Sequence, residues 1–382
     1  MPKKKNTRAS NGMGSIRQRA DGRWEARYST PEGRQKSVYG KSEKEVTAKL
    51  RGALHDLDRG AWREPSKMTV GEWLDIWIND YQGHTTGRTV ETYKCIVNAH
   101  FKPTFGSVKL VKLSQMHVRR MIADLQKKGR ASSTIRHSCA ILGGAMKCAM
   151  EAGLIKANPV EGIKLPRRVK AKFTIIDREQ IPAFVEAVEN CPFPNELLFM
   201  LYTGARVGEV RGLRWDDIDM DAGTAHIQRQ LHPVTHGERI TPPKDGEDRE
   251  MHLPAEAVDV LKRQRKQQLE QRIAAGDKWI DDDLTRDLVF RQKKGKAHSE
   301  LSIFKACKAV GEAIGMPELH PHDLRHSYAV AALRSGVDVK TVQHNLGHRS
   351  ASITLDTYAA YTSDAGKEGA KKLSDYLQKA GK

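Results

Sequence analysis

Sulfur chemistry and long apolar runs are both scarce in this 382-residue chain. Its five cysteines, at 95, 139, 148, 191 and 307, are odd in number and form no Cys-x-x-Cys pair. That argues against a disulfide framework or a zinc cluster, and for a reduced, cytosolic protein. Cys95, Cys139 and Cys148 fall among apolar helical positions and are expected to be small buried residues. No apolar stretch approaches the roughly 20 residues that span a bilayer, so no membrane partner is expected. The opening Met-Pro-Lys-Lys-Lys-Asn-Thr-Arg has no apolar segment after it and reads as a solvated basic tail, not a secretory signal. With neither a glycine-rich phosphate loop nor an acidic metal cluster in the sequence, no cofactor and no metal are expected.

Positive charge is what the chain has in excess. Lys plus Arg number 65 against 47 Asp plus Glu, a net charge of +18, which predicts attraction to a polyanion, nucleic acid first. The excess is uneven: residues 1–70 hold 17 Lys/Arg and 8 Asp/Glu, half of the whole surplus in under a fifth of the chain. Three short strands are expected there, over 14–19, 23–29 and 34–39, separated by Ala-Asp-Gly and Thr-Pro-Glu-Gly and followed by a helix from about 42 to 57. Alternation puts Trp24, Ala26 and Tyr28 on one face of the second strand and Arg23, Glu25 and Arg27 on the other. One face can pack on the helix while the other meets DNA, since a β-ribbon fits the major groove and Arg reads guanine or clamps phosphate. Arg17, Arg19, Arg23, Arg27, Arg34 and Lys36 are the candidate contacts; the alternative is that they only solvate a sheet.

Residues 61–68 read as a linker, after which Val70, Trp73, Leu74, Trp77 and Ile78 recur at amphipathic-helix spacing. Further helices are expected over about 88–100, 114–127 and 131–152, with Lys127, Lys128 and Arg136 placed to touch phosphate or simply to solvate a face. A second, basic linker runs from about 153 to 172 and contains Pro159, Pro166, Arg167, Arg168 and Lys170. The remainder reads as helical with one strand island over 224–231, 239–241 and 250–253, and a last helix over 367–378.

Four motifs carry chemistry. In Leu201-Tyr202-Thr203-Gly204-Ala205-Arg206-Val207-Gly208-Glu209-Val210 an apolar helix ends near Thr-Gly and another begins, so a tight turn can aim Arg206 into a cleft. In His320-Pro321-His322-Asp323-Leu324-Arg325-His326-Ser327, His322 and Arg325 share a helix face and pair a titratable group with a permanent cation. His322 and His326 also have zinc-ligand spacing, but no Cys or carboxylate cluster completes the set; a capping role for this polar turn is a further reading. In Leu346-Gly347-His348-Arg349-Ser350, Gly347 permits a turn between helices. Ile353-Thr354-Leu355-Asp356-Thr357-Tyr358 then brings a tyrosine ten residues after His348, able to enter the same cleft.

Two arginines, two histidines and a tyrosine in this order resemble the tyrosine recombinase family, over about 170–365. The resemblance implies a lysine in a β-hairpin between the two arginine motifs. Lys244 fits, following Thr241-Pro242-Pro243 as the only lysine between 172 and 262. The N-terminal sheet and the helical middle resemble the arm-binding and core-binding domains of phage integrases. The implied fold is mainly α with small β-sheets, in three domains: 1–65, a three-stranded sheet plus helix that binds arm-type DNA; 66–165, an all-α, SAM-like core-binding domain; and 170–382, a mixed α/β catalytic domain with a C-terminal tail.

The resemblance implies a site-specific recombinase that cuts and rejoins DNA through a 3′-phosphotyrosine, integrating and excising a phage or mobile element. Arg206 and Arg325 would hold the non-bridging phosphate oxygens and offset charge in the pentavalent transition state. A phenol with a pKa of about 10 needs help at neutral pH; His322 would accept the proton of Tyr358, Lys244 would protonate the leaving 5′-oxygen, His348 would bond a phosphate oxygen, and Glu209 would orient the site. Many members carry His two residues after the nucleophile, whereas Tyr358 is followed by Ala359-Ala360-Tyr361. Tyr361 is thus a rival nucleophile, with spacing from His348 favouring Tyr358. A type IB topoisomerase, a non-catalytic DNA-binding protein and an Xer-type resolvase are the alternatives. The basic N-terminal region argues against the first and third, and the full set of catalytic groups against the second. The implied partners are double-stranded DNA at core and arm attachment sites, a homotetramer on DNA, a host DNA-bending protein and a directionality factor, in the cytoplasm of a bacterial host. The segment after Tyr361 would dock onto a neighbouring subunit.

Overall fold

The alternation along the second strand decides how the N-terminal segment packs. In the computed structural model, which describes residues 14–30, 33–58, 67–83, 85, 87–168, 173–234, 237–243 and 248–358, the chain divides into two compact units, 1–169 and 170–382. The first unit opens with β1 (Ser15–Gln18), β2 (Trp24–Ser29) and β3 (Gln35–Gly40), an antiparallel sheet in that order. Its register aligns Ile16, Ala26 and Val38. This apolar row meets Val46 and Leu50 of α1 (Glu43–Asp58) in a small core, so the opposite face is left to charge.

A helical cluster follows. Thr69 caps α2 (Val70–Asp80) through a capping box with Glu72, which fixes where the helix starts. Trp73, Leu74, Trp77 and Ile78 then face inward, and the Trp73 indole donates to Ala145 O at 3.0 Å. The other members are α3 (Gly87–Ile96), α4 (Lys102–Phe105), α5 (Gln115–Lys127) and α6 (Ser132–Glu151). The continuous helix expected over 88–100 is instead interrupted by a π turn, Val97–Phe101, before α4. Pro103 has no N–H to give an α-helical ladder, and the wider turn absorbs that loss while keeping Val97 and Phe101 buried. Cys139 is buried as expected and Cys148 half-buried, but Cys95 is exposed. Val90, Tyr93 and Ile96 take the inward face of α3, and Cys95 lies outside it.

The second unit is built on α7 (Ile181–Glu189), α8 (Pro194–Thr203), α9 (Val207–Gly212), α10 (Ala255–Ala275), α11 (Glu300–Ala313), α12 (Pro321–Arg334), α13 (Val339–Leu346) and α14 (Ala351–Tyr358). Phe184, Leu197, Phe199, Leu261, Phe290, Ile303, Cys307 and Leu324 belong to its main apolar core. Two small sheets replace the single island expected from sequence: β4 (Ile218–Asp219), β5 (Thr224–Ile227) and β8 (Arg249–His252) form one, and β6 (Gln230–Val234) with β7 (Gly237–Thr241) the other. The strand expected over 224–231 breaks because Asp217 captures two consecutive side chains. Its carboxylate accepts Gln228 Nε2 at 2.7 Å and pairs with Arg229 Nη1, which turns the chain between β5 and β6. Among the described residues no helix is long and apolar enough to cross a membrane.

Candidate active site

Two left-handed glycines shape the site. Gly204 (φ +69°) ends α8 and Gly347 (φ +59°) ends α13. A Cβ at Gly204 would stand 2.5 Å from Tyr328 Cδ1, and one at Gly347 2.9 Å from Arg249 Nη1, so glycine is required twice over, by backbone and by space. The turn after Gly204 makes Arg206 the N-cap of α9, where its backbone N–H donates to Glu209 Oε2 at 2.9 Å. Its guanidinium reaches Glu209 Oε1 at 2.8 Å and Gly347 O at 3.3 Å.

Glu209 is fully buried and is shared. Arg249, an inward residue of β8, closes on both of its oxygens at 3.1 and 2.8 Å and also donates through Nε to Asn345 O at 2.8 Å. Arg325, 1% exposed on α12, donates to Gly204 O at 2.9 Å and to Leu346 O. Three guanidinium groups thus converge on the successive carbonyls of Asn345, Leu346 and Gly347, where the C-terminal end of α13 offers unpaired acceptors and a partial negative charge. The one carboxylate pairs with Arg206 and Arg249 while, among the described residues, Arg325 bonds only carbonyls, which leaves the three guanidinium groups a formal surplus of two positive charges. Burial, and then Arg206, lowers the Arg325 guanidinium to about 9. Burial pushes Glu209 up, but Arg249 and Arg206 outweigh it and hold the carboxyl at about 2.

Beside this cluster, His348 follows the Gly347 turn and its Nδ1 lies 2.9 Å from Thr354 Oγ1. Tyr358, the last residue of α14, is 1% exposed and packs with Ala329, Val330, Val342 and Leu346. Burial pushes its phenol up to about 12, with Arg325 opposing. The hydroxyl lies 2.7 Å from Nδ1 of His326, not of His322. His322 is exposed, one helical turn earlier, and meets His326 edge-on with ring centroids 4.7 Å apart. Burial and the surrounding cationic groups lower both His326 and His348 to about 3.

The structure therefore brings Arg206, Glu209, Arg325, His348 and Tyr358 together on α8–α9, α12, α13 and α14, with His322 at the margin. Lys244 and Tyr361 lie outside the described residues, as does the helix expected over 367–378. Two participants were not picked out from sequence. Arg249 shares the inward side of β8 with Met251, and an arginine at an inward strand position was the available signal. His326 entered only as a discounted zinc ligand.

On the N-terminal sheet, Arg17 and Arg27 both bond the buried Glu25, at 2.6 and 3.0 Å. Arg23 pairs with Asp21 at 2.7 Å, and Arg19 lies over the Tyr39 ring at 5.6 Å. Arg34 is exposed and Lys36 half-buried on the same sheet. In the helical cluster Lys127 and Lys128 are exposed at the end of α5, while Arg136 donates to Pro166 O at 3.0 Å and so ties α6 to the following segment.

The depressed histidines give a pH expectation. His326, His348 and His298, the last held at about 4 by burial, are neutral in the folded chain but take up protons below about 6.5 once unfolded. Their contribution to stability is present above 6.5 and is lost as pH falls toward their folded values, by up to about 1.4 kcal/mol per pH unit each. Glu209 acts in the same direction lower down, between 4.5 and about 2. Glu196, raised by burial to about 7, acts oppositely between 7 and 4.5. Asp323 and Asp287, also raised by burial, act in the same sense as Glu196, and His298 Nε2 lies 3.1 Å from Glu196 Oε1, so those two titrate as a pair. His326 and His348 then set the sign above pH 5, and the melting temperature of the free protein is expected to be lower at pH 5 than at pH 7.5; an equal or higher value at pH 5 would contradict the burial described.

Comparison with known proteins gives the same frame. The phage integrase family matches residues 174–364, and the phage integrase N-terminal SAM-like domain matches residues 69–126. A protein described as tyrosine recombinase XerC-like, from Caldanaerobacter subterraneus subsp. tengcongensis, is 26% identical over 341 residues, 85% of this chain and 87% of the relative. A putative prophage phiRv2 integrase of Mycobacterium tuberculosis is 28% identical over 359 residues, 90% of each chain. The integrase of transposon Tn1549, solved in complex with a circular intermediate DNA, aligns with a TM-score of 0.68 at 18% identity, over 80% of this chain and 99% of that one. At that identity the likeness is one of fold.

Proposed function

Because the chain belongs to the phage integrase family of site-specific tyrosine recombinases, we propose that it binds duplex DNA and exchanges strands through a 3′-phosphotyrosine on Tyr358. The observation that carries this reading is the convergence of Arg206, Arg249 and Arg325 on the end of α13 around a single carboxylate. A surplus of fixed positive charge in a preorganised cluster suits a phosphodiester, whose negative charge grows in the pentavalent transition state. Arg206 and Arg325 hold the non-bridging oxygens and His348 adds a hydrogen bond. Glu209 and Arg249 lock the Arg206 fork in place.

Tyr358 Oη attacks phosphorus, the bond to the 5′-oxygen breaks, and the 3′-phosphate stays on the enzyme. The phenol proton goes to His322, the exposed base beside the tyrosine's own partner, and Lys244 supplies a proton to the departing 5′-oxygen. The phosphotyrosine conserves the energy of the original bond, so a 5′-hydroxyl from another duplex reverses the step without ATP or metal. Exchange between two duplexes cuts four strands, which calls for four active sites and a tetramer on DNA. Residues 1–65 form the arm-binding domain, with Arg17, Arg19, Arg23, Arg27, Arg34 and Lys36 as contacts. Residues 66–165 bind the core site, with Lys127, Lys128 and Arg136 nearest phosphate. A host DNA-bending protein and a directionality factor complete the assembly, and a phage or mobile element in bacterial cytoplasm is its setting.

The chemistry is tested with a nicked duplex spanning the end junction of the element that encodes the chain. Incubation in EDTA without nucleotide is expected to give a protein–DNA adduct stable to denaturation, and the released strand is expected to accept a kinase label at a free 5′-hydroxyl without phosphatase treatment. An adduct that forms only with added metal, or a released strand bearing a 5′-phosphate, would refute the proposed step.

A further inference from the structure

The residue that holds the tyrosine hydroxyl is His326, and the steps of cleavage give it no task. Its Nδ1 lies 2.7 Å from Tyr358 Oη, hydrogen-bond geometry in which either atom is able to donate. The imidazole is clamped on several sides: the Phe173 ring lies against it with centroids 4.0 Å apart, His322 meets it edge-on at 4.7 Å, and the Tyr358 ring lies at 5.6 Å. Phe173 begins a segment pinned to α12, where Thr174 N donates to Asp323 Oδ1 at 3.4 Å and Ile176 N to Ser327 Oγ at 2.9 Å. The histidine is therefore fixed in orientation before substrate arrives, and through it the phenol of α14 is fixed against α12.

We propose that His326 is a positioning residue for strand cleavage: its Nδ1 accepts the Tyr358 hydroxyl and so turns a lone pair of Oη toward the phosphate held by Arg206 and Arg325. This rests on Tyr358 being the nucleophile. An acceptor at Nδ1 requires the proton on Nε2, and it fixes the O–H direction in a pocket where the tyrosine ring itself is already packed. His326 does not keep the proton: the O–H lies toward Nδ1 before attack and, as Oη bonds to phosphorus, it swings off Nδ1 and gives its proton to His322, one helical turn away. Burial first, and then the neighbouring His322 and Arg325, disfavour a charged imidazole there. Burial disfavours both the imidazolium of His326 and the phenolate of Tyr358, so transfer of the proton between them is opposed from both sides.

Asparagine and leucine substitutions separate positioning from proton transfer. His326→Asn places an amide where Nδ1 stood, able to accept the hydroxyl but without basicity; His326→Leu fills the space without a polar atom. Single-turnover cleavage of the nicked duplex is expected to fall about tenfold in His326→Leu, a lost hydrogen bond. His326→Asn is expected to recover most of that rate, with the pH–rate profile unchanged. A leucine variant as fast as wild type would overturn the proposal. So would an asparagine variant as slow as leucine, accompanied by loss of a wild-type break in the pH profile, which would make His326 the base. Nitrogen-15 spectra of the free chain decide the matter even if the leucine variant misfolds. The His326 ring, identified by its absence in His326→Asn, is expected to be neutral and protonated on Nε2, with an Nδ1 signal displaced by Tyr358→Phe; a charged ring, or no response to Tyr358→Phe, would overturn it. If Tyr358→Phe still forms the DNA adduct, the nucleophile assignment fails, and the nitrogen spectrum still reports on the hydrogen bond.

Discussion

Replacing Arg325 with lysine is expected to slow strand cleavage by about 10²–10³-fold, the range seen when one preorganised donor to a developing oxyanion is removed. The guanidinium already spends N–H groups on Gly204 O and Leu346 O, and a planar group with five donors still has some left for a phosphate oxygen. A lysine ammonium has three donors on one atom and cannot bridge two carbonyls and a phosphate in fixed geometry. The loss is expected to fall on the transition state and not on binding, since lysine keeps the charge. Folding is expected to survive, because the bonds that join Arg206 and Arg249 to Glu209 stay in place. Single-turnover cleavage and duplex affinity measured at one salt concentration separate these terms. A rate loss matched by an equal loss of affinity would mean that Arg325 acts only as a binding charge.

Glu209→Gln is expected to be the most destabilising conservative change in the second unit, at about 3–5 kcal/mol. The carboxylate is fully buried and is the shared counter-charge of Arg206 and Arg249. An amide offers one acceptor oxygen and turns an NH2 toward a guanidinium, leaving the buried Arg249 and the half-buried Arg206 without compensation. The melting temperature should fall by about 10 °C. Adding Arg249→Met should restore part of the loss, because removing both charges costs less than orphaning one. Cleavage should stay low in the double variant, since Arg206 has then lost its brace. A single Glu209→Gln variant that melts with wild type would show that the buried pair contributes nothing net.

The motifs were legible because they are local. Glycine at 204 and 347 and arginine or histidine at fixed offsets from each turn can be read from spacing, and the family order then joins segments more than a hundred residues apart. What spacing could not supply was the rotation of α14 against α12. His322 and His326 are one turn apart and His326 follows Arg325 directly, so only tertiary packing decides which imidazole meets Tyr358. Arg249 was hidden for a similar reason: its role depends on β8 lying beside the end of α13, a pairing with no local signature. The strand expected over 224–231 failed because two polar side chains were drawn to Asp217, a competition that propensity does not encode. In the N-terminal sheet the arginine face was predicted, while the central place of Glu25 between Arg17 and Arg27 was not, since a lone acid among bases reads as solvent-facing.

The central claim is that Tyr358 forms the covalent bond to DNA, and it is tested most directly by comparing wild type, Tyr358→Phe and Tyr361→Phe on the nicked duplex by denaturing gel. The buried hydroxyl held by His326 near Arg325 predicts that the adduct disappears in Tyr358→Phe alone, while that variant still binds the duplex. An adduct that persists in Tyr358→Phe and vanishes in Tyr361→Phe would contradict the account and move the nucleophile by three residues.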